Sequence, residues 1–177
     1  NLGEIYLGQG KRTLVLLDGL PPSAERTLAT IRTSLALGLT LQTVRGFGHP
    51  DVEHAYDRAR ALAEESDDVP QLFQAIAALA STQLSRAELQ KARASGERLA
   101  MLAERMPFPG VLQVASHVSG VACYHAATLA EARTHFERAV AIEVAEFGPI
   151  PMNVRLQALA YLALICLHEG RPDEARA

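Results

Sequence analysis

Four segments of one character recur along the chain: His54-Ala55-Tyr56-Asp57-Arg58-Ala59, Lys91-Ala92-Arg93-Ala94, Glu131-Ala132-Arg133-Thr134 and Glu174-Ala175-Arg176-Ala177. With Ala55, Ala92, Ala132 and Ala175 taken as equivalents, the spacings are 37, 40 and 43 residues. A Cys-x-His pair recurs as well, Cys123-Tyr124-His125 against Cys166-Leu167-His168, again 43 residues apart. Periods of this length mark chains whose units are single supersecondary elements. One helix pair cannot bury its apolar stripe alone, so successive pairs stack, and small Ala positions let the helices approach closely.

The segments between the breaks read as helices. Ala, Leu, Glu, Arg and Gln dominate, aromatics are 5% of the chain, and strand-like β-branched runs are short. Gly and Pro punctuate the chain at Gly19-Leu20-Pro21-Pro22, Gly46-Phe47-Gly48-His49-Pro50, Asp67-Asp68-Val69-Pro70, Pro107-Phe108-Pro109-Gly110, Gly148-Pro149-Ile150-Pro151 and Gly170-Arg171-Pro172. Ser23 is expected to cap one helix and Asp51 another. Pro70, Pro109 and Pro151 are expected in first helical turns, where a missing N–H costs nothing.

The net charge of −3 gives no electrostatic drive toward nucleic acid or anionic lipid, so neither is an expected partner. Basic residues are nearly all Arg, with Lys11 and Lys91 the two lysines, a bias that fits a GC-rich bacterial genome. Cys123 and Cys166 lie in apolar stretches and suit a reducing cytoplasm. The longest strongly apolar run, Ala158 to Leu167, is about half of the ~20 residues a bilayer span needs. The amino end, Asn1-Leu2-Gly3-Glu4, has no initiator Met or basic leader, and Asp173 to Ala177 opens a helix and stops. Both ends read as excised from a larger protein.

At Leu2-Gly3-Glu4-Ile5-Tyr6 and Gly10 the sequence resembles the Leu-Gly-x-x-Tyr spacing and following glycine of a tetratricopeptide helix pair. Gly120, Ala132, Phe136 and Ala139 match the family's small, small, aromatic and small positions. The aromatic near the start of the first helix is missing, and the spacings exceed the roughly 34 residues of the standard repeat. Longer loops at Met106 to Gly110 and Phe147 to Pro151 take up most of the excess.

A narrower resemblance rests on Leu16, Leu17, Leu20, Pro21, Glu25 and Arg26, then Arg45-Gly46-Phe47, then Pro50-Asp51-Val52-Glu53 with Ala55, Tyr56, Arg58 and Ala59, then Pro70-Gln71-Leu72-Phe73. This order looks like the helical-repeat region that follows the ATPase module in bacterial adenylate/guanylate cyclase-type regulators; similar regions follow protein-kinase modules. The resemblance implies a repeat region that receives a partner or ligand signal.

The expected fold is therefore all-α, a right-handed α-α superhelix of stacked antiparallel helix pairs. It forms one domain over residues 1–177, truncated at both ends, with units near 1–20, 23–66, 70–106, 109–147 and 151–177.

No constellation of catalytic residues stands out. Gly8-Gln9-Gly10-Lys11-Arg12 superficially resembles a phosphate loop, but that motif needs Gly where Ile5 stands and Ser or Thr at Arg12, so a turn between two helices is expected there. Residues two apart on a helix point about 200° from each other, so a single Cys-x-His pair cannot chelate a metal. Glu64-Glu65-Ser66-Asp67-Asp68 lacks the alternating ligands and central Gly of a calcium loop and reads as a solvated helix end. No cofactor, metal or catalytic residue is expected.

The stronger candidate is a surface. In the helix from Gly110 to Ala126, Val114, His117, Val121, Tyr124 and His125 fall on one stripe, which the resemblance places on the concave face. Carried over at the repeat spacings, that stripe holds Gln74, Ser81 and Ser85 in the preceding unit, and Gln157 and His168 in the following one. A mixed polar and aromatic groove suits a peptide or protein, including the parent protein's own catalytic or ATPase domain. Self-association through exposed terminal helices is a further expectation. Two alternatives remain at this point: a small-molecule inducer sensor, marked by a deep enclosed apolar pocket, and an all-α enzyme, marked by converging titratable groups.

Overall fold

A computed structural model of the chain describes residues 2–106, 108–143 and 153–176. They form eight α-helices: α1 (Leu2–Asp18), α2 (Ala24–Arg45), α3 (Pro50–Glu65), α4 (Val69–Ser85), α5 (Leu89–Ala103), α6 (Pro109–His125), α7 (Leu129–Ala141) and α8 (Val154–His168). A short 3-10 turn at Glu174–Arg176 follows, and no strand occurs among the described residues. The helices form two compact units, residues 1–88 and 89–177. In the first, each helix packs on its chain neighbour and α2 also touches α4; in the second, α5, α6, α7 and α8 pack in order and α6 also touches α8. The break expected at Gly148-Pro149-Ile150-Pro151 lies outside the described residues, as does Pro107.

Local chemistry sets the helix ends. Ser23 is extended and its Oγ accepts the Arg26 N–H at 3.1 Å, satisfying one of the four orphan donors of α2. The Asp68 carboxylate does the same for Gln71 at 3.1 Å, and the Asn153 side chain for Leu156 at 3.0 Å. Pro70 and Pro109 sit in first turns as expected. The cap of α3, however, is His49 rather than Asp51. A residue before proline is held in the extended region, as His49 is, and its Nδ1 accepts the Asp51 N–H at 3.2 Å. Asp51 instead pairs with Arg45 at 3.2 Å.

Four helices end in the same way. Asp67, Ala87, Ala127 and Gly170 are left-handed, and the N–H of the next residue reaches back five positions in each case: Asp68 to Ala63, Glu88 to Gln83, Thr128 to Cys123 and Arg171 to Cys166, at 2.8 to 3.0 Å. This is the Schellman arrangement, which satisfies the terminal carbonyls and reverses the chain. Ala87, Ala127 and Gly170 keep the spacings of 40 and 43 residues.

Burial corrects the first of the three expected spacings. Val52, Tyr56, Ala59 and Ala63 on α3 are buried, and 40 residues on so are Ala92, Gly96, Leu99 and Ala103 on α5, then Ala132, Phe136 and Ala139 on α7. Val52, not Ala55, is thus the counterpart of Ala92. Counted from the helix starts at Pro50 and Leu89, Val52 falls in the first turn of α3 as Ala92 does in α5, whereas Ala55 falls a turn later. The turn expected at Gly8 to Arg12 is also absent, since both glycines lie inside α1. Each costs about 1 kcal/mol relative to Ala in a helix, but packing overrides propensity. Leu7 and Leu14 join Leu37 and Leu41 of α2 in the first unit's core, and a Cβ on Gly10 would lie 3.2 Å from Leu37 Cδ1.

Candidate functional site

α6 is the most enclosed helix of the second unit, and its small residues explain why. A Cβ built on Gly120 would fall 2.7 Å from Cε1 of Phe136, so the glycine is what allows α7 to seat its ring there. On another side, a Cβ on Gly96 of α5 would meet Ser119 Oγ at 2.6 Å. The Gln113 amide donates to the Ala139 and Ile142 carbonyls at 2.9 and 3.1 Å, closing orphan acceptors at the end of α7.

Across α6, α7 and α8 runs a connected set of rings. Phe136 stacks on Tyr161 with centroids 4.9 Å apart and planes 6° from parallel. Tyr161 meets Tyr124 edge-on at 5.1 Å, and His117 lies 5.8 Å from Phe136 and 6.1 Å from Tyr161. At the surface the Tyr124 hydroxyl and His168 Nε2 share a hydrogen bond of 2.9 Å, joining α6 to α8, with His125 packed edge-on against Tyr124. The seam thus grades from a buried imidazole, through half-buried tyrosines, to the two exposed imidazoles of His125 and His168.

Of the stripe anticipated on α6, Val114, His117 and Val121 are buried, Tyr124 is half-buried and His125 is exposed. Gln157 and His168 of α8 come to the same seam, Gln157 beside His117 and His168 bonded to Tyr124. Gln74, Ser81 and Ser85 belong to the other unit and lie along one side of α4. Gln74 and Ser85 are exposed, and the hydroxyls of Ser81 and Ser85 donate to the Ala77 and Ser81 carbonyls. Tyr161, which joins the buried and exposed halves of the seam, escaped the sequence reading. Its signal is the stripe Gln157, Tyr161, His168 on α8, which the surrounding leucines mask.

Burial drives the His117 pKa down to about 4, with the Gln157 side chain acting in the opposite direction. The ring is neutral near pH 7, and its Nδ1 has no hydrogen-bond partner. Burial likewise raises the Tyr161 hydroxyl, with a smaller contribution from Tyr124. It also raises the Cys123 thiol, whose Sγ donates to Glu131 at 3.7 Å. A thiol held protonated is a poor nucleophile and a poor metal ligand. Both cysteines are buried and free, and no cluster of three metal-ligating side chains occurs among the described residues. No helix among them is long and apolar enough to cross a membrane.

In the first unit, an open cleft of about 340 Å³ has Leu14, Leu37 and Leu41 at its floor and Lys11, His54 and Arg58 among its polar lining. Arg58 is held there by Asp18 at 2.5 Å. No protein-family model and no curated protein matches this chain.

Proposed function

We propose that this chain is a tetratricopeptide-type helical-repeat module that binds a protein or peptide and relays that contact within a bacterial, cytoplasmic signalling regulator. The bound segment would come from a separate partner or from an ATPase, cyclase or kinase module of the parent protein. The observation that carries the reading is the Tyr124–His168 bond between α6 and α8, with His125 exposed beside it. Tyrosine offers a large contact area with a polar handle, and imidazole can donate or accept near neutral pH, which suits recognition of an extended or helical segment. The resemblance of the residue order to the repeat regions of cyclase-type regulators supports the signalling context. The cleft of the first unit is open and lined partly by charge, unlike the enclosed apolar pocket that metabolite sensing calls for.

The test is a calorimetric titration against candidate catalytic modules, comparing Tyr124→Ala/His125→Ala with the helix-rib variant Arg98→Ala/Glu104→Ala. A hot-spot pair contributes about 2 kcal/mol or more, so the seam variant is expected to bind at least about thirtyfold more weakly. The rib variant should change affinity by less than about threefold. Unchanged circular dichroism controls for folding, and His125→Ala alone, at an exposed site, gives a milder second variant. Loss of binding in the rib variant but not the seam variant would move the interface elsewhere.

A further inference from the structure

Between α1 and α3, over α2, the first unit keeps a cleft whose charge runs against that of the chain. Its floor is Leu14, Leu37 and Leu41, and Val15, 72% exposed, is an apolar wall open to solvent. Both carboxylates in the lining are already held: Asp18 by Arg58 at 2.5 Å and Arg26 at 3.9 Å, and Asp51 by Arg45 at 3.2 Å. Lys11 and His54, one on each wall, are exposed and pair with no described residue. Among the groups that line the cleft and the partners that hold them, cations outnumber carboxylates four to two before His54 is added, although the whole chain carries −3.

A local excess of positive charge selects an anion, and the rest of the chain limits how long that anion can be. Nucleic acid or an anionic bilayer would extend past the cleft over a chain that is negative overall, so the field favours a short one. The leucine floor and Val15 add a second requirement, an apolar side chain beside the negative groups. The cleft is open, which lets a polypeptide run on past it in both directions. We propose that it docks a short acidic segment of a partner protein, with one apolar side chain on Val15 and the floor and the flanking carboxylates at Lys11 and His54. Both walls and the floor belong to α1, α2 and α3, and the walls are already next-but-one neighbours, so the stacking that joins α2 to α4 puts no further helix between them. The site lies in the other unit from the Tyr124 seam and does not rest on it.

The probe is the peptide acetyl-Asp-Leu-Glu-amide. The whole chain, with labelled leucine methyls, is titrated with it to millimolar concentration at low ionic strength and followed by NMR, so weak docking of a short peptide still registers. Saturable shifts are expected at Leu14, Leu37 and Leu41. Binding should weaken about fivefold or more in Lys11→Glu/His54→Glu, and likewise when salt is added. Both positions are exposed and unpaired, so circular dichroism should be unchanged. Val15→Ser should also weaken it, whereas Tyr124→Ala/His125→Ala should leave it unaltered. Several results would overturn the proposal. No shift at millimolar peptide is the first. Equal binding by acetyl-Lys-Leu-Lys-amide, or undiminished binding in the double glutamate variant, would mean that charge does not select the ligand. Equal binding by acetyl-Asp-Ser-Glu-amide would reduce the cleft to an ion site. Octanoate saturating the same shifts at about a tenth of the peptide concentration would give the cleft to a small anionic amphiphile, and the same shifts on concentrating the chain alone would give it to a second copy. Each is read apart from the Tyr124/His125 titration against catalytic modules, so either idea can fail without the other.

Discussion

Replacing Gly120 by alanine sets two known effects against each other at one atom. In a helix interior alanine is worth about 1 kcal/mol over glycine. Against this, the new Cβ would lie 2.7, 2.8 and 3.0 Å from three carbons of the Phe136 ring. Ordinary carbon contacts begin near 3.5 Å, so the ring must give way by more than half an ångström. It has little room to do so, being fully buried and stacked on Tyr161 at 4.9 Å. Overpacking of this kind costs about 1–3 kcal/mol, and a pinned ring puts the cost toward the upper end, above the propensity gain. The expected net loss for Gly120→Ala is about 0–2 kcal/mol, toward the upper end because the ring is pinned, and Gly120→Leu should lose more.

The control is Gly8→Ala, where a Cβ meets nothing within 4 Å and the same propensity gain should appear undiminished. Urea unfolding followed by circular dichroism gives both midpoints, and thermal midpoints should move by roughly 4–8 °C per kcal/mol for a unit of this size. A double variant, Gly120→Ala with Phe136→Leu, should recover part of the loss beyond additivity, because the clash is pairwise. If Gly120→Ala raises the midpoint as Gly8→Ala does, or the double variant is strictly additive, the close approach does not hold α7 in place.

His117 predicts a pH dependence. Its folded pKa of about 4 lies below the ordinary 6.5, so between those values the unfolded chain binds the extra proton. Stability should be undiminished above about pH 6.5 and fall by up to about 3 kcal/mol as the pH drops to about 4. Urea midpoints across that window should lose this slope in His117→Leu, and an unaltered slope would mean that the imidazole is not sequestered. Asp68→Ala removes the cap on Gln71 and should cost about 1 kcal/mol, whereas Asp51→Ala, on a helix capped by His49, should cost less than about half that; equal losses would reverse the cap assignment.

The boundaries before α2, α3, α4 and α6 could be read from Gly and Pro positions, because those residues act locally, but the breaks before α5 and α7, at Arg86 to Glu88 and Ala126 to Thr128, carry neither and were marked only by the recurring Ala segments. The failures fall where a non-local contact decides. Gly8 and Gly10 looked like a turn because nothing in their neighbourhood announces that α2 will lie alongside. Asp67, Ala87 and Ala127 adopt the left-handed conformation without being glycine, and only the back-bonds of the following residues reveal them. The spacing of the seam was legible on α6, but its depth was not. His117 is enclosed because Tyr161 and Phe136 lie within ring-contact distance, and α8, apolar on nearly every side, gives no periodic hint of which residue points inward.

The order in which the helices touch also fixes how the molecule comes apart. Within each unit a helix meets only its neighbour or the next but one, so no contact requires a long loop to close first. Chains with such low contact order fold quickly and open by local steps rather than all at once. α1 packs on α2, with the Asp18–Arg58 ion pair to α3 at its end, while α6 is held by α5, α7 and α8. Amide protons of α1 should therefore exchange with solvent well before those of α6, through an opening that frays the first unit from its end and leaves the rings around Tyr161 stacked.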